Sequence, residues 1–141
     1  MTQIPKRPQP GFMRQLFGRI ASRYDLLNRL MTFGQDLRWR RQAVRKLTLD
    51  TSPRILDVGA GTGDLCRAIL QRQPEAAVIA LDFTPEMIAL GRIRTDVDRV
   101  HWVLADAHHL PFATRTFDGA VSGFLFRNLI DPMQALAEQA R

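Results

Sequence analysis

The sequence predicts an α/β protein: a parallel sheet flanked by helices, with a helical extension ahead of it. Three observations carry this reading. Short apolar stretches at 54–58, 77–81, 100–104 and 117–122 have strand length and strand composition. Helical patterns separate the first three, and strand–helix–strand alternation at that spacing implies right-handed parallel crossovers. A glycine run, Gly59-Ala60-Gly61-Thr62-Gly63, joins the first strand to the helix that follows.

The elements follow in order. Pro5, Pro8 and Pro10 crowd the start, with little to bury, so residues 1–11 read as a flexible arm. From 12 to 31 the pattern is an amphipathic helix. Phe12, Phe17, Ile20, Tyr24, Leu27 and Met31 form its apolar stripe, widened by Met13, Leu16 and Leu30. Arg14, Arg19, Arg23 and Arg29 take other positions, and a bend is expected near 25–28. Thr32-Phe33-Gly34 breaks the helix, and a second runs over about 35–47 with Leu37, Val44 and Leu47 inward. Residues 12–50 thus read as a helical cap.

Beyond Ser52-Pro53, residues 51–141 carry the sheet. A helix is expected over 64–73. Thr84 before Pro85 reads as an N-cap with proline at the first helical position, opening a helix to about 94. Asp131-Pro132 repeats that signal and opens a last helix. The fourth strand is expected to run on towards 126.

The chain has 141 residues, 45% hydrophobic and 24% charged, which excludes a disordered or fibrous chain. No apolar run approaches the ~18 residues of a membrane span. No secretory leader is visible. The lone Cys66 suits a reducing compartment, so a cytoplasmic protein is expected. Residues 1–54 hold 12 Lys/Arg against 3 Asp/Glu, a balance of +9; the remainder holds 8 against 11. Such a basic head can meet an anionic membrane peripherally, or be a solvated face. Its aromatics fall on the apolar side rather than between arginines, which disfavours nucleic acid. A homo-oligomer stays open.

The glycine loop points to a ribose-bearing cofactor. Glycines permit a tight turn and close approach of a ligand to the backbone. Asp82 closes the second strand, nineteen residues after Gly63, where a carboxylate can accept from both ribose hydroxyls. Asp57 and Asp64 flank the loop with negative charge. That disfavours a pyrophosphate and suits a cationic ligand without phosphate, S-adenosyl-L-methionine. Phe83 offers an apolar face to adenine. Asp106 and the Ala107 amide, after the third strand, suit the adenine edge. His108-His109 beside Asp106 lacks a third ligand, so no metal is expected.

With these residues in place, the sequence resembles the class I methyltransferases, and within them the ubiquinone/menaquinone biosynthesis C-methyltransferases. The resemblance rests on Phe17-x-x-Ile20-Ala21-x-x-Tyr24-Asp25-x-x-Asn28, then Gly34 and Trp39-Arg40. It continues in Leu110-Pro111-Phe112, Phe117-Asp118 and Gly123-Phe124-x-x-Arg127-Asn128. It implies a Rossmann-like fold and a cofactor held through Thr62, Asp82 and Asp106-Ala107, beside Gly59 and Gly61. The family also has a serine near the end of the fourth strand. Ungapped counting puts Gly123 there, with Ser122 one residue early. Tyr24 and Asp25 are candidates for a lid.

The resemblance further implies methyl transfer to a ring carbon of a polyprenylated hydroquinone. Arg127 is the candidate cation for the phenolate, with Asn128 positioning it or the substrate. The family continues past an arginine like Arg141 into further strands, so the expectation is a fragment with an incomplete sheet that is not a competent enzyme alone. Methylation of another small molecule or of RNA, and an inactive fragment, are the alternatives.

Overall fold

A computed structural model describes residues 10–47, 51–95 and 98–141, without the side chains of residues 10, 12–14, 17, 22 and 24. The element order is α1 (Pro10–Met31), α2 (Gln35–Arg45), β1 (Arg54–Val58), α3 (Asp64–Arg72), β2 (Ala77–Asp82), α4 (Pro85–Thr95), β3 (Val100–Leu104), β4 (Gly119–Val121) and α5 (Pro132–Ala140), with a 3-10 turn at Phe126–Asn128 before α5. The first nine residues of the expected arm lie outside the described ones. Its last two, Pro10 and Gly11, already belong to α1.

The four strands are parallel, in the order β3-β2-β1-β4. The winding therefore runs outwards from β1 to β3 and then returns to β1's other side. Side chains alternate between the faces, as a period of two requires. Ile55, Val78, Ala80 and Val100 pack with Val44, Leu65, Cys66 and Ile69 on the face covered by α2 and α3. Leu56, Val58 and Leu81 pack with Ala107, Leu110 and Ala135 on the other. Asp131 caps α5 as its sequence suggests, its Oδ1 accepting from the amides of Met133 and Gln134 at 3.0 Å.

Five details differ from the sequence reading. Helix α1 runs through 25–28 without a break. Its stripe is only partly covered: Leu27, Leu30 and Met31 are exposed, because the buried face of α1 runs through Ala21, Asp25 and Asn28 instead. In α2 the buried face is Asp36, Arg40 and Val44, spaced at four residues, and Leu37 lies outside it. Thr84 stands before α4 and its carbonyl accepts from Met87 and Ile88, but its hydroxyl makes no capping bond. Strand β4 stops at Val121. Phe124 adopts φ +59°, which no strand accommodates, and the chain turns instead of running on to 126.

Candidate active site

The glycine loop leaves β1 at the point where the winding changes direction. Open parallel sheets place their ligand sites at such switch points, outside the carboxyl ends of the strands. Gly59, Gly61 and Gly63 all have positive φ, +71°, +57° and +86°. At Gly61 a side chain would meet nothing, so the glycine serves the backbone angle alone. At Gly59 an added Cβ would fall 2.8 Å from Leu125 Cδ1, so close packing also demands it.

Asp82 holds this loop in shape. One carboxylate oxygen accepts from the Gly61 amide at 2.8 Å, the other from the Thr84 amide at 2.9 Å. Burial pushes its carboxyl above the ordinary range, against those two bonds. Two adjoining cavities open on either side of it, sharing Gly59, Asp82, Phe83, Leu125 and Asn128. One continues to Asp106, Ala107 and His108. The other reaches Thr62, Asp64, Asp25 and Arg40.

The far ends of the two cavities differ in character. Asp106 is largely exposed; its Oδ1 accepts from the His108 amide at 2.9 Å and faces His108 Nδ1 at 2.7 Å. Burial acts to raise its carboxyl, but the bonds to His108 outweigh it and leave it below the ordinary range. At the opposite end the charges are buried. The Thr62 hydroxyl donates to the Asp25 carboxylate, at 2.7 and 2.8 Å to its two oxygens. Arg94 of α4 pairs with the same carboxylate. One aspartate of α1 thus ties the loop to α4. Asp64 pairs with Arg67, with Arg29 and Arg40 at 3.8 and 3.9 Å.

Asp57 stands elsewhere than expected. It is fully buried and lines neither cavity. Two residues after Ile55, it shares that residue's face and points to α3, where Cys66 Sγ donates to Oδ2 at 3.2 Å. Its Oδ1 has no partner among the described residues. Burial pushes its carboxyl up to about 7, against the Cys66 bond and the charge of Arg40. The Cys66 thiol is pushed well above its ordinary value by burial and by Asp57. The negative charge read around the loop is therefore weaker than counting aspartates suggests: Asp57 faces away, and Asp64 is surrounded by arginines.

Ser122 lines neither cavity, whereas Gly123, in the turn after β4, lines one. Asn128 reaches both cavities, its Nδ2 donating to the Phe124 carbonyl at 3.2 Å. Arg127 is exposed and lines neither; its guanidinium lies 5.6 Å from the Phe124 ring centroid. It makes no ion pair with Asp131. Tyr24 lies in α1, with its side chain outside the described ones. Sequence reasoning missed Arg40 as a cavity residue. Its signal was the four-residue spacing of Asp36, Arg40 and Val44, which places all three on one helix face.

Strand order, a glycine loop at the switch point and an acid at the end of β2 define a Rossmann-like fold of the methyltransferase kind. A solved structure of a SAM dependent methyltransferase from Aquifex aeolicus shares the fold. It matches with a TM-score of 0.71 at 20% identity over 88% of this chain and 65% of that one. The family model described as "ubiE/COQ5 methyltransferase family" matches residues 6–141, and the chain belongs to that family. It is 47% identical to a demethylmenaquinone methyltransferase of Thermus thermophilus, over 89% of this chain and 58% of that protein. It is 44% identical to a ubiquinone/menaquinone biosynthesis C-methyltransferase of Citrifermentans bemidjiense, over 92% and 57%. The chain thus spans a little over half the length of these relatives.

Proposed function

We propose that this chain forms the cofactor-binding half of an S-adenosylmethionine-dependent C-methyltransferase acting on a polyprenylated hydroquinone, of the demethylmenaquinol or ubiquinol-precursor kind. The observation that carries the cofactor is the pair of joined cavities along the carboxyl ends of β1, β2 and β3, charged at one end and open at the other. The residues fit the ligand. Asp82 offers acceptors for the ribose, and Gly59 and Gly61 allow close approach of the main chain. Phe83 offers a flat apolar face, and Asp106 and Ala107 suit the adenine edge. Unspent buried atoms on Arg40 and Asp64 await a polar ligand group. Thr62 contributes through its bond to Asp25, which ties α1 over the loop as a lid. Asp57 and Ser122 fall outside this set.

When bound, the cofactor supplies an electrophilic sulfonium methyl group. A phenol titrates near ~10, so the substrate needs a fixed cation to favour its phenolate at neutral pH. Arg127 serves in this role from the rim, steadied on Phe124, while Asn128 positions the substrate. Arg127 stays protonated, so water or another group takes the phenolic proton. Arg127→Lys keeps the charge but loses the planar fork. It should lower turnover while cofactor affinity hardly changes; equal loss of both would make Arg127 structural.

We infer peripheral contact with anionic membrane from the same substrate logic. Among the described residues, every exposed charged side chain between 19 and 46 is basic, since Asp25 and Asp36 are buried. Leu26, Leu30, Met31 and Phe33 stand exposed among them, Phe33 at 94%. Basic residues contribute about 1 kcal/mol each near anionic lipid. Flotation with anionic vesicles should recover the protein and salt should reverse it; equal recovery with neutral vesicles would discard the idea. No described helix is long and apolar enough to cross a membrane.

The substrate is tested by mass spectrometry of demethylmenaquinol and ubiquinol precursors, using this chain and a form extended past Arg141 to its relatives' length. Addition of one methyl group to a ring carbon by the extended form is expected. Methylation of RNA or another small molecule instead would overturn the substrate.

A further inference from the structure

Arg40 comes from α2, outside the sheet, yet its side chain is only 9% exposed and lines the cavity beside the glycine loop. Two carboxylates stand near it. Asp36 Oδ2 is 3.8 Å from Nε, and Asp64 Oδ2 is 3.9 Å from Nη2. Both separations are too long for hydrogen bonds. Nε, Asp36 Oδ2 and Asp64 Oδ2 are buried without a hydrogen-bond partner among the described residues. The guanidinium lies 5.2 Å from the Phe124 ring centroid, which fixes its orientation without spending a donor. The charge is balanced and the plane is held, while the Nε–H is left over. Buried donors in that state are unfavourable until an acceptor arrives.

The surroundings limit what that acceptor can be. Asp25, Asp64 and Asp82 line the same cavity, so a phosphate or other polyanion would be repelled. One carboxylate, carried by a ligand with a compensating cation, meets no such barrier. The unspent Asp64 oxygen beside the guanidinium suits an ammonium group. The Arg40 guanidinium, whose Nη2 stands 3.9 Å from the unspent Asp64 Oδ2, and that oxygen match the two ends of an α-amino acid zwitterion. Gly123 keeps the approach clear: an added Cβ there would sit 3.4 Å from Arg40 Nη1 and 3.0 Å from Leu65 Cδ1.

We propose that Arg40 recognises the α-carboxylate of the cofactor's amino-acid end, with Asp64 beside it for the ammonium. This rests on the S-adenosylmethionine reading. The test is calorimetric binding of S-adenosylmethionine and of its decarboxylated form, which keeps the adenosine, sulfonium and amine. The unsubstituted chain should prefer the carboxylated ligand by about 10- to 100-fold. Arg40→Gln should erase most of that preference by weakening S-adenosylmethionine alone. Arg40→Lys, which retains the charge, should fall between. Circular dichroism of each variant reports folding, and the unsubstituted chain's own preference is measured without any substitution. Equal affinity of the unsubstituted chain for both ligands overturns the assignment to Arg40 and leaves the cofactor reading standing. So does an unchanged preference in either variant, or an equal loss for both ligands in a folded Arg40→Gln. Binding of neither ligand by the unsubstituted chain overturns the cofactor reading, and this inference with it.

Discussion

Asp57 and Asp82, near the ends of β1 and β2, are both buried, Asp57 behind the site and Asp82 between its two cavities, whereas Asp106, just after β3, lies at the open end. The residue type and the position after an apolar run are alike, but the electrostatics are opposite. Burial raises Asp57 to about 7 and raises Asp82 as well, while bonds to His108 leave Asp106 below its ordinary value. The difference lies in the donors each carboxylate meets and in the water each keeps. Asp82 has two main-chain amides, Asp57 one thiol, and Asp106 an amide, an imidazole and solvent. A carboxylate at a strand end is thus a loop-holder, a buried acid or a surface acceptor according to what packs over it.

The sharpest test of that contrast is the pH dependence of stability. Below the unfolded value near ~4, Asp57 is protonated in both states and its contribution is fully present. As pH rises through about 7, the unfolded chain has already released the proton that the folded chain still holds, so stability falls. Asp82 works in the same direction, and Asp106 works oppositely, losing stability only as pH drops below the carboxylate range. Asp57→Asn should therefore flatten the urea-unfolding profile between pH 5 and 8. It should stabilise the chain at pH 8 by up to a few kcal/mol. An unchanged slope would mean that Asp57 is not the buried acid described.

Next in size is Asp82→Ala. Removing acceptors that also hold Gly61 and Thr84 should cost ~2–3 kcal/mol of cofactor binding, tens of fold in affinity. Titration calorimetry checks this; NADH binding in place of S-adenosylmethionine would redirect the assignment. Asp25→Ala should follow, at ~1–3 kcal/mol of stability, because it leaves the Thr62 hydroxyl and Arg94 without their shared partner. Hydrogen exchange in α1 and the glycine loop should accelerate together. Exchange confined to α1 would break the claimed tie. The smallest effect belongs to the open end. Asp106→Asn should change stability by only a few tenths of a kcal/mol, since Asp106 is largely exposed. A loss comparable to that of Asp25→Ala would erase the distinction between the two ends.

Much of this architecture is legible in the sequence. The glycine loop, the acid closing β2 and the proline-marked start of α5 are local matters of turn chemistry and capping, written in adjacent residues. The side chosen by Asp57 was not legible. Both faces of a parallel sheet are apolar, so alternation reveals that neighbours diverge without telling which face holds the ligand. The place of Arg127 at the rim was not legible for a related reason: an arginine beside a site motif does not disclose where its guanidinium lies, and here it stands 5.6 Å from the Phe124 ring centroid. Leu37 looked like core by hydrophobicity, yet the four-residue spacing of Asp36, Arg40 and Val44 defined the buried face.

By itself the sequence determined the alternation of strands and helices, the left-handed glycines at the turn and the carboxylate at the end of β2. Each depends on chain geometry within a few residues. The tertiary structure alone decided that Asp25 would cross 37 positions to meet Thr62, and that Arg40 would arrive from α2 with its Nε unspent. It also decided that one strand-end aspartate would be raised and another lowered. Those outcomes depend on which helix packs over which strand end, and on the water that packing removes. Both are properties of the assembled core rather than of any stretch of chain.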